Sequence, residues 1–337
     1  MGEPEQINLR FCLWNVENLF LLFDGPMPTD VNSLGESEWQ RLSTSIFENK
    51  PLRKLQEIAR TIREINPDIL MLCEVGGEES LRNFNSLFLN GDYSCALIEG
   101  NSDRHIHVGF LLRKGLPFFY DIISNKNRPI NYLYPHERDS LASGYPLKHS
   151  SHKFSRDAVE LKFFRRDRES PFFVALLTHL KSRLDPDGID PGGFERRKAE
   201  LRTLLEIYRE AIDRHPQTPT IVCGDFNGNA SRTGTDEEFR LLYESSDLED
   251  ALELLKVKTE DRATFYNIRP NGRPEGRQID YCFLPPGLSA HLKQAYIHRF
   301  SDHRGMPLDI PQSLDAKLKL PSDHYPYVFD LENLKIW

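Results

Sequence analysis

Short apolar runs, each long enough for one β-strand, recur along the whole chain and alternate with amphipathic stretches. Interleaving of this kind is typical of α/β folds. At 337 residues with 39% hydrophobic side chains, the chain is large enough to bury an extensive core. The ten predicted strands are INLRFCLWN, DILMLCEV, YSCALIE, HVGFLLRK, AVELKFF, FFVALLTHL, TIVCGDF, QIDYCFLP, KQAYIHRF and YPYVFDL.

Helical periodicity marks fewer segments. Apolar residues repeat at helical spacing through residues 52–65, and this helix should end before Pro67, because the residue ahead of a proline disfavours the helical conformation. The other predicted helices are EESLRNFNSLFL, FERRKAELRTLLEIYREAI, DEEFRLLYES and LEDALELL. Residues 24–50 and 125–154 are too long for ordinary connections and are predicted to be functional loops.

Charge and cysteine usage limit the class of protein. A formal net charge of -8 argues against coating nucleic acid through bulk positive charge, although a local basic patch can still hold phosphate. The five cysteines lie singly in apolar runs, as buried reduced thiols do. The first residues lack a signal-peptide core, and no apolar run approaches the roughly 20 residues of a membrane span. We therefore expect a cytoplasmic protein with no membrane segment.

Four of the apolar runs deliver one polar residue at their carboxyl ends. These residues are Asn15, Glu74, His179 and Asp225. In open α/β sheets, ligands bind outside the carboxyl ends of the strands, where rigid elements aim the side chains. One such residue alone indicates only a strand running out into solvent, but four together predict a functional site.

Six stretches in a fixed order resemble the endonuclease/exonuclease/phosphatase superfamily of metal-dependent phosphoesterases. The stretches are LWNVENLF, DILMLCEV, THLKSR, IVCGDFNGN, RQIDYCFL and SDHYPYVFDL, and they span nearly the whole chain. The chain is most similar to bacterial members that open with NVENLF. The resemblance implies one domain over residues 1–337, built as a four-layer α/β sandwich. In it, two mixed sheets pack face to face with helices outside, the first sheet coming mainly from residues before about 150 and the second from those after.

Hydrolysis of a phosphate ester needs stabilisation of charge at the phosphoryl oxygens, and Mg²⁺ supplies this through oxygen ligands. Glu74 is predicted as the first ligand, with Asn15 beside it. Glu17 shares a strand face with Asn15 if the strand continues, so it either serves a second ion or is a solvated charge. The resemblance adds Asp323, facing the metal or its bound water. Mn²⁺ is a possible substitute for Mg²⁺.

The resemblance also implies catalytic roles. Asp225 would orient or deprotonate the attacking water, Asn227 would hold it, and His179 would donate a hydrogen bond to a phosphoryl oxygen. An Asn-Gly turn is the alternative, compatible interpretation of Asn227. Asp280 lies within an apolar strand, where an unpaired charge is costly, and the resemblance supplies His324 as its partner. Whether His324 is a base or a phosphate ligand stays open.

The tripeptide Ser-Asp-His occurs twice near the end of the sequence. Asp302 and His303 are followed by RGMPLDIPQS, whose glycine and prolines predict a surface loop. Asp323 and His324 are followed by YPYVFDL, an alternating strand that can fix a catalytic histidine. The second copy is therefore predicted to be functional.

Four further residues, Arg104, Arg156, Lys181 and Arg183, are candidates for binding the phosphate of the substrate, as phosphate clamps. The alternative for each is a charge that is simply exposed to solvent. Zinc is not expected at the histidine pairs 105/107 and 149/152, since no cysteine or carboxylate completes a tetrahedral set nearby. Tyrosines 132, 134 and 145 either stack on bases or pack their loop onto the body.

The sequence thus predicts a monomeric Mg²⁺-dependent phosphoesterase that hydrolyses phosphodiester bonds, with DNA or RNA as the first choice of substrate. Inositol phosphates, phospholipid headgroups and nucleotides are alternatives within the same class. A catalytically silent binding module with the same fold is the alternative from a different class.

Overall fold

Two six-stranded β-sheets pack face to face in the computed structural model, which describes residues 5–269 and 272–336. The strands are β1 (Glu5–Leu19), β2 (Ile69–Val75), β3 (Tyr93–Leu97), β4 (His107–Arg113), β5 (Phe119–Ser124), β6 (Ala158–Phe164), β7 (Phe173–His179), β8 (Thr220–Asp225), β9 (Glu249–Asp250), β10 (Phe265–Ile268), β11 (Pro274–Arg277), β12 (Asp280–Leu284), β13 (Leu292–Ile297) and β14 (Tyr327–Ile336). The α-helices are α1 (Glu36–Gln40), α2 (Leu52–Ile65), α3 (Glu78–Phe88), α4 (Pro135–Ala142), α5 (Phe194–Arg214), α6 (Arg240–Ser245), α7 (Ala251–Leu254) and α8 (Leu314–Leu318).

Both sheets are mixed. The first has the order β13-β14-β1-β2-β4-β3, and the second has the order β5-β6-β7-β8-β12-β9. Within the first, β1 runs parallel to β2 and antiparallel to β14; within the second, β7 runs parallel to β8, which is antiparallel to β12. A separate hairpin pairs β10 with β11. The predicted architecture of two mixed sheets surrounded by helices is confirmed.

The predicted division of the sheets at about residue 150 holds for most strands, four of six in the first sheet and five of six in the second. The first sheet includes β13 and β14 from the end of the chain, and the second begins with β5, which precedes residue 150. The last strand pairs antiparallel with β1, register Phe11 to Phe329, and so closes the first sheet. An ion pair with two parallel hydrogen bonds of 2.8 Å between Arg10 and Asp330 joins the same two strands.

Aromatic side chains fill the space between the sheets. The ring of Phe11 on β1 stacks on Phe329 of its own sheet at 4.8 Å and on Phe173 of the opposite sheet at 5.5 Å between centroids. Outside the second sheet, the apolar face of α5 contributes Leu201, Leu204 and other residues to a second buried cluster. The helix predicted over residues 52–65 has those bounds and packs on the first sheet.

Several shorter elements differ from the predictions. The strands β5, β10 and β11 were not predicted, and the stretch LEDALELL opens with the short strand β9 before α7 begins. The two long stretches at 24–50 and 125–154 are largely irregular, as predicted, but they include α1 and α4. Among the described residues, no helix combines the length and apolar character needed to cross a bilayer.

Candidate active site

Strand register brings three of the predicted residues side by side at one end of the second sheet. On β8, Asp225 pairs in register with His179 of β7 on one side and with Asp280 of β12 on the other. Gly224 permits this approach of the strands, because a Cβ there would lie 2.0 Å from the carbonyl oxygen of Thr178. The site therefore begins with a carboxylate flanked by an imidazole and a second carboxylate.

A hydrogen bond between the sheets completes the first contacts of Asp225. Asn15 ends the regular part of β1 in the first sheet, and its Nδ2 donates to Asp225 Oδ2 at 3.0 Å. Both side chains are almost fully buried, with 2% and 1% exposure. His179 Nε2 lies 3.6 Å from the same oxygen. The structure thus places Asn15, His179 and Asp225, predicted from separate strand ends, in one group.

His324 lies against Asp280. Its Nδ1 is 2.8 Å from Asp280 Oδ2, and its Nε2 is 3.9 Å from Asp225 Oδ2. Three contacts fix the chain around it. Trp14 Nε1 donates to the carbonyl oxygen of His324 at 2.9 Å, His324 N donates to Ser322 Oγ at 3.1 Å, and Ser322 Oγ donates to the carbonyl oxygen of Asn15 at 2.7 Å.

Burial and neighbouring charges set the protonation of this group. Burial and the nearby Asp280 carboxylate raise the pKa of Asp225 to about 7. Burial alone would lower the pKa of His324. The negative charges of Asp280, Asp323 and Asp225 raise it by more, so the pKa lies well above its usual value. For His179, burial and the positive charge of Arg156 hold the pKa well below its usual value. Near neutral pH, His179 is therefore a neutral imidazole.

Glu74 lies at the carboxyl end of β2 in a left-handed backbone conformation, φ 66°. For a residue other than glycine this conformation costs free energy. Such strain persists where the surrounding structure enforces it, for example to direct a side chain. Its Oε2 accepts from Asn18 N at 3.1 Å. Within the part of the chain that the structure describes, no ion pair to Glu74 is formed. A half-buried carboxylate without a protein cation fits a ligand of a hard divalent cation.

A second set of atoms could also hold a cation. Asp225, Asp280 and His324 offer ligand atoms that all lie within 4.8 Å of one another. Asp280 Oδ1 is buried and has no hydrogen-bond partner among residues 5–269 and 272–336. Buried polar atoms normally have a partner, so the donor set of this site fits a divalent metal ion.

Glu17 does not follow the predicted alternation. The pairing of β1 with β2 shifts register between Asn15 and Leu19, and the φ of Glu17 is 50°, so the strand does not continue regularly past Asn15. The carboxylate of Glu17 is instead paired with two lysines, Lys54 Nζ at 2.7 Å and Lys50 Nζ at 3.5 Å. The structure therefore favours an ion pair over a metal-ligand role for Glu17.

Asp323 lies at the edge of the site and also has a lysine partner. Its Oδ2 is 3.5 Å from Lys317 Nζ, and its Oδ1 is 3.9 Å from His324 Nε2. Sequence reasoning missed Lys317, Lys50 and Lys54. Lys50 ends a long loop, Lys54 lies early in α2 and Lys317 lies in α8, so no strand pattern indicated them. Burial lowers the pKa of Lys50 to about 8.

The four candidate phosphate clamps divide into two pairs. Arg156 is 6% exposed and its Nη1 lies 3.4 Å from the carbonyl oxygen of Leu180, while Arg104 Nη2 donates to Asn18 Oδ1 at 2.8 Å, next to Glu74. Lys181 and Arg183 are bound to protein groups instead, and Arg183 Nε donates to the carbonyl oxygen of Asn227 at 3.1 Å. Lys181 Nζ donates to backbone carbonyls of its own loop, and Arg183 forms an ion pair with Asp236 at 2.5 Å.

Asn227 follows β8 with φ 54°, as a turn residue does. Its backbone N donates to Asp225 Oδ1 at 2.9 Å, and its Nδ2 donates to the carbonyl oxygen of Leu180 at 3.1 Å. Asn227 is thus a turn residue and also contacts Asp225 directly.

The earlier Ser-Asp-His copy lies in a surface turn, as predicted. Asp302 Oδ1 accepts from the backbone N of Arg304 and of Met306, and His303 is exposed. Arg60 on α2 holds this turn by donating to Ser301. The second copy is the one that lies beside Asp225.

Known proteins resemble this chain in sequence family and in fold. A model of the Endonuclease/Exonuclease/phosphatase family matches residues 12–324. No curated protein sequence matches the chain. Solved structures share the fold: truncated TDP2 of Caenorhabditis elegans is 16% identical with a TM-score of 0.55, covering 96% of this chain and 98% of that one. D. rerio TDP2 complexed with single strand DNA product is 14% identical with a TM-score of 0.56, covering 96% and 98%.

The human Nocturnin catalytic domain with bound sulfate anion is 18% identical with a TM-score of 0.56, covering 97% of this chain and 96% of that one. Identities this low establish the common fold, and the family match extends over the stretch that carries every residue from Asn15 to His324. Members of the family are metal-dependent hydrolases of phosphate esters. The chain belongs to the endonuclease/exonuclease/phosphatase family.

Proposed function

We propose that this chain is a Mg²⁺-dependent phosphodiesterase that acts on nucleic acid. The observation that carries the proposal is the buried group around Asp225, in which Asn15, His179 and the pair of Asp280 and His324 approach one carboxylate from both sheets. Residues that share one buried carboxylate at strand ends form a preorganised site.

Glu74, with the side-chain oxygens of Asn15 and Asp323, would hold the cation. These ligands are all oxygen atoms, which Mg²⁺ prefers. The alternative set of Asp225, Asp280 and His324 includes an imidazole nitrogen, which suits Mg²⁺ less well. Mn²⁺ can use the same oxygen ligands. The bound cation would polarise the phosphoryl group and offset its negative charge. Glu17 is a weaker candidate ligand, since Lys54 and Lys50 already neutralise it.

Asp225 is the proposed general base. A pKa of about 7 lets its carboxylate accept a proton from water near neutral pH. General base catalysis is most effective when the pKa of the base lies near the working pH. The Asn227 backbone N and Asn15 Nδ2 hold its two oxygens in place. His179 Nε2 is the ring nitrogen that faces Asp225, so a neutral His179 with its proton on Nε2 can donate a hydrogen bond to a phosphoryl oxygen bound beside that carboxylate.

His324 and Arg156 complete the proposed substrate contacts. Nδ1 of His324 faces Asp280, so Nε2 is the ring atom that meets the substrate. Arg156 and Arg104 lie near enough to lower the pKa of His179 by their charge, and we assign them to phosphate binding. Lys181 and Arg183 would have to leave their present partners to serve as clamps.

Nucleic acid is proposed because one of the similar structures, TDP2 of D. rerio, is described as a complex with single strand DNA product. We also propose that residues 1–337 act as one domain and as a monomer. Unpaired cysteines, four of them buried, support a cytoplasmic location.

A substrate panel tests the proposal. Single-stranded DNA, RNA, an inositol phosphate, sphingomyelin and a generic phosphodiester would each be incubated with Mg²⁺ and with EDTA. We expect cleavage of DNA or RNA that EDTA abolishes. Glu74→Gln should lower the rate by about a hundredfold or more, whereas Glu78→Gln, an exposed carboxylate on α3, should not. Cleavage of only the inositol phosphate or the lipid would refute the nucleic-acid assignment, and an active Glu74→Gln enzyme would refute the metal site.

A further inference from the structure

Glu137, His149 and His152 converge within the segment 125–154, outside the site described above. His152 Nε2 lies 2.8 Å from Glu137 Oε2, and His149 Nε2 lies 3.7 Å from Glu137 Oε1. The ring centroids of the two histidines are 4.4 Å apart. One ligand-type atom from each residue can be chosen so that all three lie within 4.8 Å of one another.

Two of the three residues are held by hydrogen bonds to the backbone around them. Glu137 Oε2 accepts from the backbone N of Tyr134 at 2.7 Å, which fixes it in the first turn of α4. His152 N donates to the carbonyl oxygen of Tyr132, and the carbonyl oxygen of His152 accepts from Ile130 N, both at 2.9 Å. His149 is the more exposed member, at 39% of its side chain, against 16% for His152 and 15% for Glu137.

We propose that Glu137, His149 and His152 form a zinc site. Two imidazoles and one carboxylate, with a fourth position open to water, are a familiar zinc ligand set. Bonds of about 2.05 Å in tetrahedral geometry put ligand atoms about 3.3 Å apart. The observed separations, 2.8 Å from His152 Nε2 to one Glu137 oxygen and 3.7 Å from His149 Nε2 to the other, lie on either side of this value. Imidazole nitrogens select zinc over Mg²⁺, so the ion differs from that of the phosphoesterase site.

The sequence concealed this set because its carboxylate comes from a helix. The histidine pair 149/152 lacks an acidic neighbour in the chain, and Glu137 reaches it only because the segment folds back over the first turn of α4. Two of the three tyrosines of this segment assist that folding, whereas Tyr145 is 68% exposed. Tyr132 packs against the second core cluster, and Tyr134 OH accepts from Arg196 Nη1 at 3.2 Å, so both pack the loop onto the body.

A metal ion here would tie α4 to the chain that enters the active site. Three residues separate His152 from Arg156, the buried candidate phosphate clamp. That stretch is already held to α5, since Arg196 Nη2 donates to the carbonyl oxygen of Lys153 at 3.1 Å and Ser155 N donates to Glu200 Oε1 at 2.7 Å. Zinc would therefore add a tie from α4 to the start of this stretch, whose later residues α5 already holds.

Zinc binding to the purified full chain tests the proposal. Equilibrium dialysis against Zn²⁺ in excess Mg²⁺ would be run on the wild type, on His149→Ala and on His136→Ala. His136 is the matched control, since it lies beside Glu137 with its ring against Tyr134. Any zinc held at the phosphoesterase site is common to all three proteins, so the difference between them reports the new site alone.

We expect wild type and His136→Ala to bind one more equivalent of zinc than His149→Ala, or to bind that equivalent at least about a hundredfold more tightly. An anomalous diffraction peak between Glu137 and His152 in zinc-soaked crystals should give the position. Equal zinc binding by wild type and His149→Ala, with circular dichroism showing both folded, would overturn the proposal, as would anomalous density confined to Glu74.

Discussion

Replacing Asp280 with asparagine keeps the shape of the side chain but removes the charge that faces His324. Asp280 is 1% exposed, and its Oδ2 lies 2.8 Å from His324 Nδ1. The amide of an asparagine can turn its NH₂ toward Nδ1, which forces the proton of a neutral imidazole onto Nε2. If the amide presents its oxygen instead, the imidazolium still loses its counter-charge. Either way, the state of His324 that the carboxylate stabilises becomes less populated.

The expected loss follows from the role of such a carboxylate. In a Ser-His-Asp triad, the equivalent change lowers turnover about 10⁴-fold, which corresponds to about 5.4 kcal/mol of transition-state free energy. We expect a loss of about 10³ to 10⁴ for Asp280→Asn. Removing one partner of a buried ion pair costs about 3–5 kcal/mol when a charge is left behind. His324 can release its proton, so the free energy of unfolding should fall by less than this.

The assay is turnover of a generic phosphodiester in saturating Mg²⁺, paired with urea unfolding of the same preparation. Asp302→Asn is the matched control, since it makes the same change in the exposed copy of the motif. Turnover within about threefold of the wild type in a folded Asp280→Asn protein would refute the proposed pairing. A loss of activity that merely parallels a loss of folded protein would refute it as well.

Two further predictions use other parts of the same fold. His324→Ala should abolish turnover and His303→Ala should leave it near normal under saturating Mg²⁺; the reverse result would assign the chemistry to the earlier copy. Asp250 is fully buried, and burial raises its pKa to about 7, so the folded state keeps a proton that the unfolded chain releases between about pH 4 and pH 7. The free energy of unfolding should therefore fall by up to about 4 kcal/mol as pH rises through this window, and Asp250→Asn should remove that slope in urea titrations. An unchanged slope in the variant would contradict the assigned proton.

The longer elements could be predicted because a local pattern specifies them. The apolar repeat through residues 52–65 and the apolar run of β8 correspond to a helix and a strand with nearly the predicted bounds. The pairing partner of each strand could not be predicted in this way. Pairing of β14 with β1 joins residues more than 300 positions apart in the chain, and the alternation of either strand is the same whichever neighbour it has.

In the site, too, residues marked by a local pattern could be predicted and the others could not. Asn15, His179 and Asp225 end apolar strands, so sequence alone indicated them, and the structure places them in contact. Glu17 shows where the reasoning stops, because period-two alternation holds only while the strand is regular, and the backbone leaves that conformation two residues after Asn15. Partners supplied by loops, such as Lys50, leave no periodic signal.

The central position of β1 in its sheet has a consequence for synthesis of the protein. During translation, β1 can pair with β2 as soon as residue 75 is made, but its other edge has no partner until β14 follows some 250 residues later. An unpaired strand edge is a site for pairing with other chains. His324 lies three residues before the start of β14, so the residue that faces Asp280 arrives with the strand that covers this edge. A nascent chain thus becomes protected from aggregation and able to form the His324 contact at the same moment, and a chain that stops before residue 324 achieves neither.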